Sequence, residues 1–104
     1  MISTHILDTA GGDPARGVPV RLEHHDGAGW QPVGEGRTDD DGRLRFPVEA
    51  PSGGYRLVFD TAAHLGADAF FPEITVAFAV ADPSRGYHVP LLLSRYGYTT
   101  YRGS

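Results

Sequence analysis

Cysteine is absent from this 104-residue chain, which removes disulfides, zinc thiolate sites and thiol nucleophiles together. Lysine is absent too. Nine arginines stand against 13 acidic residues for a net charge of -4, and with no basic run in the sequence nucleic acid is not expected as a partner. No stretch approaches the roughly 20 apolar residues of a membrane span, and Met1-Ile2-Ser3-Thr4-His5 lacks the basic start and apolar run of a secretory signal. The expectation is a cytoplasmic protein without a membrane partner. No internal repeat, low-complexity segment or linker divides the chain, so residues 1–104 are expected to form a single domain with one core. A chain of this size buries only about two-thirds of the surface its unfolded form exposes, so oligomerisation would help it.

What the chain has in quantity is punctuation. Fourteen glycines and eight prolines separate short apolar and β-branched runs, the rhythm of an all-β sandwich. Strands are expected near Ser3 to Leu7, Val18 to Glu23, Trp30 to Gly34, Leu44 to Val48, Tyr55 to Asp60, Ile74 to Val80, Tyr87 to Leu93 and Tyr98 to Arg102. Eight strands would make two sheets of four. The only helical signal is Thr61-Ala62-Ala63-His64-Leu65-Gly66, one or two turns with Asp60 or Thr61 as the cap and Gly66 as the stop.

Asp39-Asp40-Asp41-Gly42 invites comparison with a calcium loop. With Gly42 at that loop's glycine, the first ligand position falls on Arg37 and the closing glutamate position on Val48, so the segment reads as a turn. The run Tyr87-His88-Val89-Pro90-Leu91-Leu92-Leu93 is apolar on both faces: Tyr87, Val89, Leu91 and Leu93 share one, and His88, Pro90 and Leu92 the other. One face belongs to the core. The second needs a cover, either a partner subunit or a packed loop. Pro90 has no N–H for a ladder, which places its nitrogen at an edge, at a bulge or opposite no acceptor.

Of five histidines, three have ordinary explanations. His24 and His25 precede an expected Asp26-Gly27 turn and face opposite sides, so one of them meets solvent, and His64 belongs on the surface of the short helix. His5 and His88 instead lie inside apolar strands. No histidine pair has the three- to five-residue separation of a local zinc site, so no metal is expected. Arg43 and Arg102 lie at strand ends, where arginine is ordinarily a solvated charge, and they gain meaning only if they converge with the histidines. The final Tyr101-Arg102-Gly103-Ser104 brings an arginine, a hydroxyl and a carboxylate together where most chains fray, which marks it as part of a built site.

Four stretches together resemble the transthyretin-like family that hydrolyses 5-hydroxyisourate in urate breakdown. They are Ser3-Thr4-His5-Ile6-Leu7-Asp8 with Gly12 to Val20 behind it, Thr38-Asp39-Asp40-Asp41-Gly42-Arg43, Phe70-Phe71-Pro72-Glu73-Ile74-Thr75-Val76, and Tyr87 to Ser94 continuing to Tyr98-Thr99-Thr100-Tyr101-Arg102-Gly103-Ser104. The resemblance implies a two-sheet, eight-strand transthyretin-like sandwich with one short helix, assembled as a homotetramer from two dimers with active sites at a subunit interface. It implies that His5, Arg43, His88 and Tyr101, Arg102, Gly103 and Ser104 line the site, that the substrate is a small molecule, and that no cofactor is required. In the implied reaction water attacks a cyclic amide carbonyl, with His5 and His88 positioning and deprotonating it and Arg43 stabilising the growing negative charge. Which histidine is base and which acid stays open, while the four terminal residues hold the ring. The rival reading is a carrier of a small hydrophobic ligand on the same fold, and a third is an adhesive or structural sandwich.

Overall fold

The alternation in the first segment produces a strand with two unlike faces. In the computed structural model, which describes Met1–Ser104, β1 (Ile2–Asp8) buries Ile2, Thr4 and Ile6 and leaves Ser3, His5 and Leu7 half-buried on the other side. Thr4 is a polar residue in an apolar layer, and its hydroxyl is satisfied by donating to the Val89 carbonyl at 2.6 Å.

The remaining strands are β2 (Asp13–Pro14), β3 (Pro19–His25), β4 (Trp30–Arg37), β5 (Arg43–Phe46), β6 (Gly53–Phe59), β7 (Ile74–Val80), β8 (Tyr87–Leu93) and β9 (Tyr98–Thr100), with α1 (Ala62–Leu65) between β6 and β7. One sheet runs β2-β1-β8-β9, with β5 also pairing β1, and the other runs β4-β3-β6-β7. The β1–β8 pair is parallel. The two sheets enclose the core with Ile2, Ile6, Leu91 and Leu93 on one side and Leu22, Leu57, Phe59 and Ile74 on the other.

The eight expected strands are present with shifted ends, and a ninth, β2, is added. The chain turns back after Asp8, whose carboxylate accepts from the Ala10 and Gly11 N–H groups, and lays Asp13 and Pro14 beside Asp8 and Leu7. The sheets therefore hold five and four strands. The last strand was expected to run to Arg102 but stops at Thr100. Its register with β8 pairs Leu91 with Thr100 and, further on, His88 with Gly103, so the gap falls where Pro90 has no N–H to give.

Helix α1 is a single turn. Thr61 does not cap it through its side chain; it is fully buried, and its hydroxyl donates to the Phe71 carbonyl, tying the helix start to the segment before β7. His64 is on the surface as expected, yet its imidazole Nε2 is paired with Asp8 Oδ2 at 2.8 Å. His25 meets solvent, whereas His24 stacks on Tyr55 with ring centroids 4.4 Å apart.

The Asp39–Gly42 segment is a turn. The Asp39 carboxylate accepts from the N–H groups of Asp41 and Arg43, both at 2.9 Å, and Gly42 has φ +76° with its carbonyl receiving the Ile6 N–H at 2.8 Å. A Cβ at Gly42 would lie 2.4 Å from the Ile6 carbonyl oxygen, so only glycine lets this turn seat against β1.

Thr38 joins the same region to the core. Its buried hydroxyl accepts from the Val18 N–H at 2.9 Å and donates to the Ala15 carbonyl at 2.7 Å. Thr38→Val keeps the shape and orphans both backbone groups, so urea unfolding is expected to show a loss of about 2 kcal/mol or more. A loss within experimental error would mean that neither bond contributes.

Candidate active site

The pairing of β1 with both neighbours arranges side chains in rows across the outer face of the first sheet. His5 lies opposite Arg43 on β5 and beside Pro90 on β8, and Ser3 lies opposite Arg45 and beside His88. Laterally paired residues point to the same face, so these side chains form two adjacent rungs. The residues come from three separate segments.

His88 is held on two edges. Its Nδ1 is 2.9 Å from the Ser3 hydroxyl, and its backbone carbonyl receives the Gly103 N–H at 2.8 Å. A Cβ at position 103 would fall 2.5 Å from the imidazole Cδ2 and 3.3 Å from the Pro90 ring. Glycine there lets the terminal segment press against the histidine.

Two cavities share this centre. The first, about 520 Å³, is lined by Ser3, Arg37, Asp39, Arg43, His88 and Ser104 among others. The second, about 530 Å³, is lined by Ser3, Arg85, His88, Arg102, Gly103 and Ser104 among others. A third, smaller and more apolar, lies between β7 and the end of the chain and takes in His88, Tyr101 and Arg102. Arg43, His88, Arg102, Gly103 and Ser104 are thus brought together around His88. Tyr101 reaches it only through the apolar cavity, and His5 lines none of the three although it stands on the adjoining rung.

With Arg45, five of the nine arginines (Arg37, Arg43, Arg45, Arg85 and Arg102) border the first two cavities, so positive charge is gathered locally in a chain of net charge -4. Burial, followed by the positive Arg43 and by His5, holds the His88 pKa below the ordinary histidine value, because each disfavours the imidazolium. The ring is therefore neutral, and able to accept a proton, at lower pH than free imidazole. Arg102 reaches back over the ring of Tyr87, with its guanidinium carbon 5.0 Å from the centroid.

Sequence reading missed Ser3. The available signal was its place two residues before His5, which sets both on one strand face; its contact with His88 depends on a parallel pairing invisible along the chain.

Fold and site together define a two-sheet β-sandwich that carries a histidine–arginine cluster on a sheet face. Residues 2–103 match the HIUase/Transthyretin family, and the chain belongs to it. It is 47% identical to the 5-hydroxyisourate hydrolase of Salmonella dublin, an alignment that covers 100% of this chain and 81% of the relative. Among solved structures it is similar to the 5-hydroxyisourate hydrolase of Klebsiella pneumoniae, with TM-score 0.85, 32% identity and 99% and 98% of the two chains covered. Sea bream transthyretin in complex with thyroxine superposes with TM-score 0.88 at 31% identity, covering 98% of this chain and 93% of that one.

The His88 imidazole is expected to titrate below about 6.5 when followed by NMR. Replacing Arg43 removes a positive neighbour, so Arg43→Gln should move that midpoint upward. An unchanged or lower midpoint would show that Arg43 does not act on the ring.

Proposed function

We propose that this chain is a 5-hydroxyisourate hydrolase, a single domain over residues 1–104 that opens the cyclic amide of its substrate in urate degradation. The observation that carries this reading is the clustering of His88, Arg43 and the terminal Arg102-Gly103-Ser104 around shared cavities, with His5 on the adjacent rung. The identity to hydrolases named for this reaction supports it. The carrier reading has the fold behind it, and fold alone does not assign function.

In the proposed reaction a water is deprotonated by His88 as its oxygen bonds to the carbonyl carbon. Negative charge moves onto the carbonyl oxygen, where Arg43 offers a planar fork of donors. When the tetrahedral centre collapses the C–N bond breaks, and the departing nitrogen takes a proton from the histidine that received it, with His5 close enough to bias that proton. Arg102, Gly103 and Ser104 bound the space for the ring, and Tyr101 flanks it from the apolar side. Water and proton carriers suffice for this chemistry, so the mechanism uses no metal or organic cofactor.

We also read the working form as a cytoplasmic homotetramer, a dimer of dimers. Strands β7 and β9 are open sheet edges, and the exposed Phe70, Tyr96 and Tyr98 gather near them, with Phe70 and Tyr96 ring centroids 6.2 Å apart. Native mass spectrometry is expected to give four times the chain mass, and a monomer at working concentration would refute the assembly.

Purified chain should accelerate the decay of freshly generated 5-hydroxyisourate, followed by ultraviolet absorbance. His88→Ala and Arg43→Ala are each expected to lower kcat/KM by about a hundredfold or more. Removal of Arg102, Gly103 and Ser104 should also abolish turnover while leaving the sandwich folded. If the point variants fold normally and keep the wild-type rate, the assignment is wrong.

A further inference from the structure

We propose that Ser3 is a positioning residue for the reaction, holding the His88 imidazole by Nδ1 so that the lone pair of Nε2 faces the cavity. This rests on the reading of His88 as the base.

The case begins with register. Ser3 and His88 are lateral partners across the parallel β1–β8 pair, on the outer face, and the Ser3 Oγ to His88 Nδ1 distance is 2.9 Å. Nε2 makes no hydrogen bond within the protein, yet no side-chain nitrogen or oxygen of the chain is both buried and unpaired. Nε2 is therefore the nitrogen open to the cavity.

The ring also cannot turn over without cost. Gly103 is packed against its Cδ2 edge, so a half-turn about the Cβ–Cγ bond would put Cδ2 against the serine hydroxyl and Nδ1 against the glycine backbone. The hydrogen bond would be lost with nothing gained in return.

A neutral imidazole carries one proton, and what faces Nδ1 decides where it sits. The Ser3 hydroxyl can give or accept. With Nε2 open to the cavity as the proton acceptor, the single proton sits on Nδ1 and is donated to the Ser3 hydroxyl oxygen 2.9 Å away. Behind metal-bound histidines, partners that fix the tautomer in this way matter about 10- to 100-fold, and an effect of that order is expected here.

The test uses two readouts on the full chain. The ¹⁵N spectrum of neutral His88 is expected to report Nδ1–H in the wild type, a mixture of tautomers in Ser3→Ala, and the wild-type state in Ser3→Thr, which keeps the hydroxyl. Turnover of 5-hydroxyisourate should fall about 10- to 100-fold in kcat with KM little changed in Ser3→Ala, and be largely retained in Ser3→Thr. A His88 tautomer unaffected by Ser3→Ala, or an Nε2–H tautomer in the wild type, overturns the proposal. The spectrum is independent of substrate: a wild-type chain with the Nδ1–H tautomer but no action on 5-hydroxyisourate would refute the assigned activity, not the hold on the ring.

Discussion

The register of β1 is the constraint on which the rest of the site depends. This strand pairs with β5 along one edge and with β8 along the other, and it sets Ser3 against Arg45 and His88 and His5 against Arg43 and Pro90 in the same stroke. A slip of one residue would turn Ile2, Thr4 and Ile6 outward and send Ser3 and His5 into the core. The buried apolar face therefore enforces the polar one. Gly42 contributes from the side, since the turn that delivers Arg43 seats against the Ile6 backbone only because position 42 has no side chain.

Much of this was legible along the chain. Alternation of side chains located β1, β7 and β8, and the glycine and aspartate spacing identified the Asp39–Gly42 turn. The pairings that build the site were not, because they join segments about forty and eighty residues apart and no local pattern encodes which strands become neighbours. Ser3 was overlooked for that reason. The early end of β9 was implicit in Pro90, whose missing N–H had been noted, but the residue it faces could be known only once β8 and β9 were in register. His64 looked like an ordinary surface residue; its pairing with Asp8 joins the helix to the end of β1, a contact set by tertiary packing alone.

The second apolar face of β8 shows how sequence and structure divide the answer. His88 and Leu92 are only half-buried there, while Pro90 is buried and lies beside the glycine of the terminal segment. Part of the cover comes from the chain's own end: the terminal segment packs over His88 and Pro90, while Leu92 stays half-buried. The Gly103 N–H is bonded to the His88 carbonyl, so the terminal segment and the histidine backbone are held together.

Close similarity in fold to both a hydrolase and a thyroxine-binding transthyretin shows that the sandwich itself is neutral between chemistry and carriage. The proposed function rests instead on local charge. A cation beside a histidine disfavours the imidazolium, and in the proposed mechanism the same cation stabilises the oxyanion that forms when the histidine takes a proton from water. In that mechanism Arg43 has two tasks for one charge: before attack it favours the form of His88 that can accept a proton, and during attack it meets the negative charge that the attack creates. In the same proposed mechanism, as the proton reaches His88 the developing oxyanion offsets the repulsion between the two cations, which matches the arrangement to the transition state better than to either the empty site or the bound substrate.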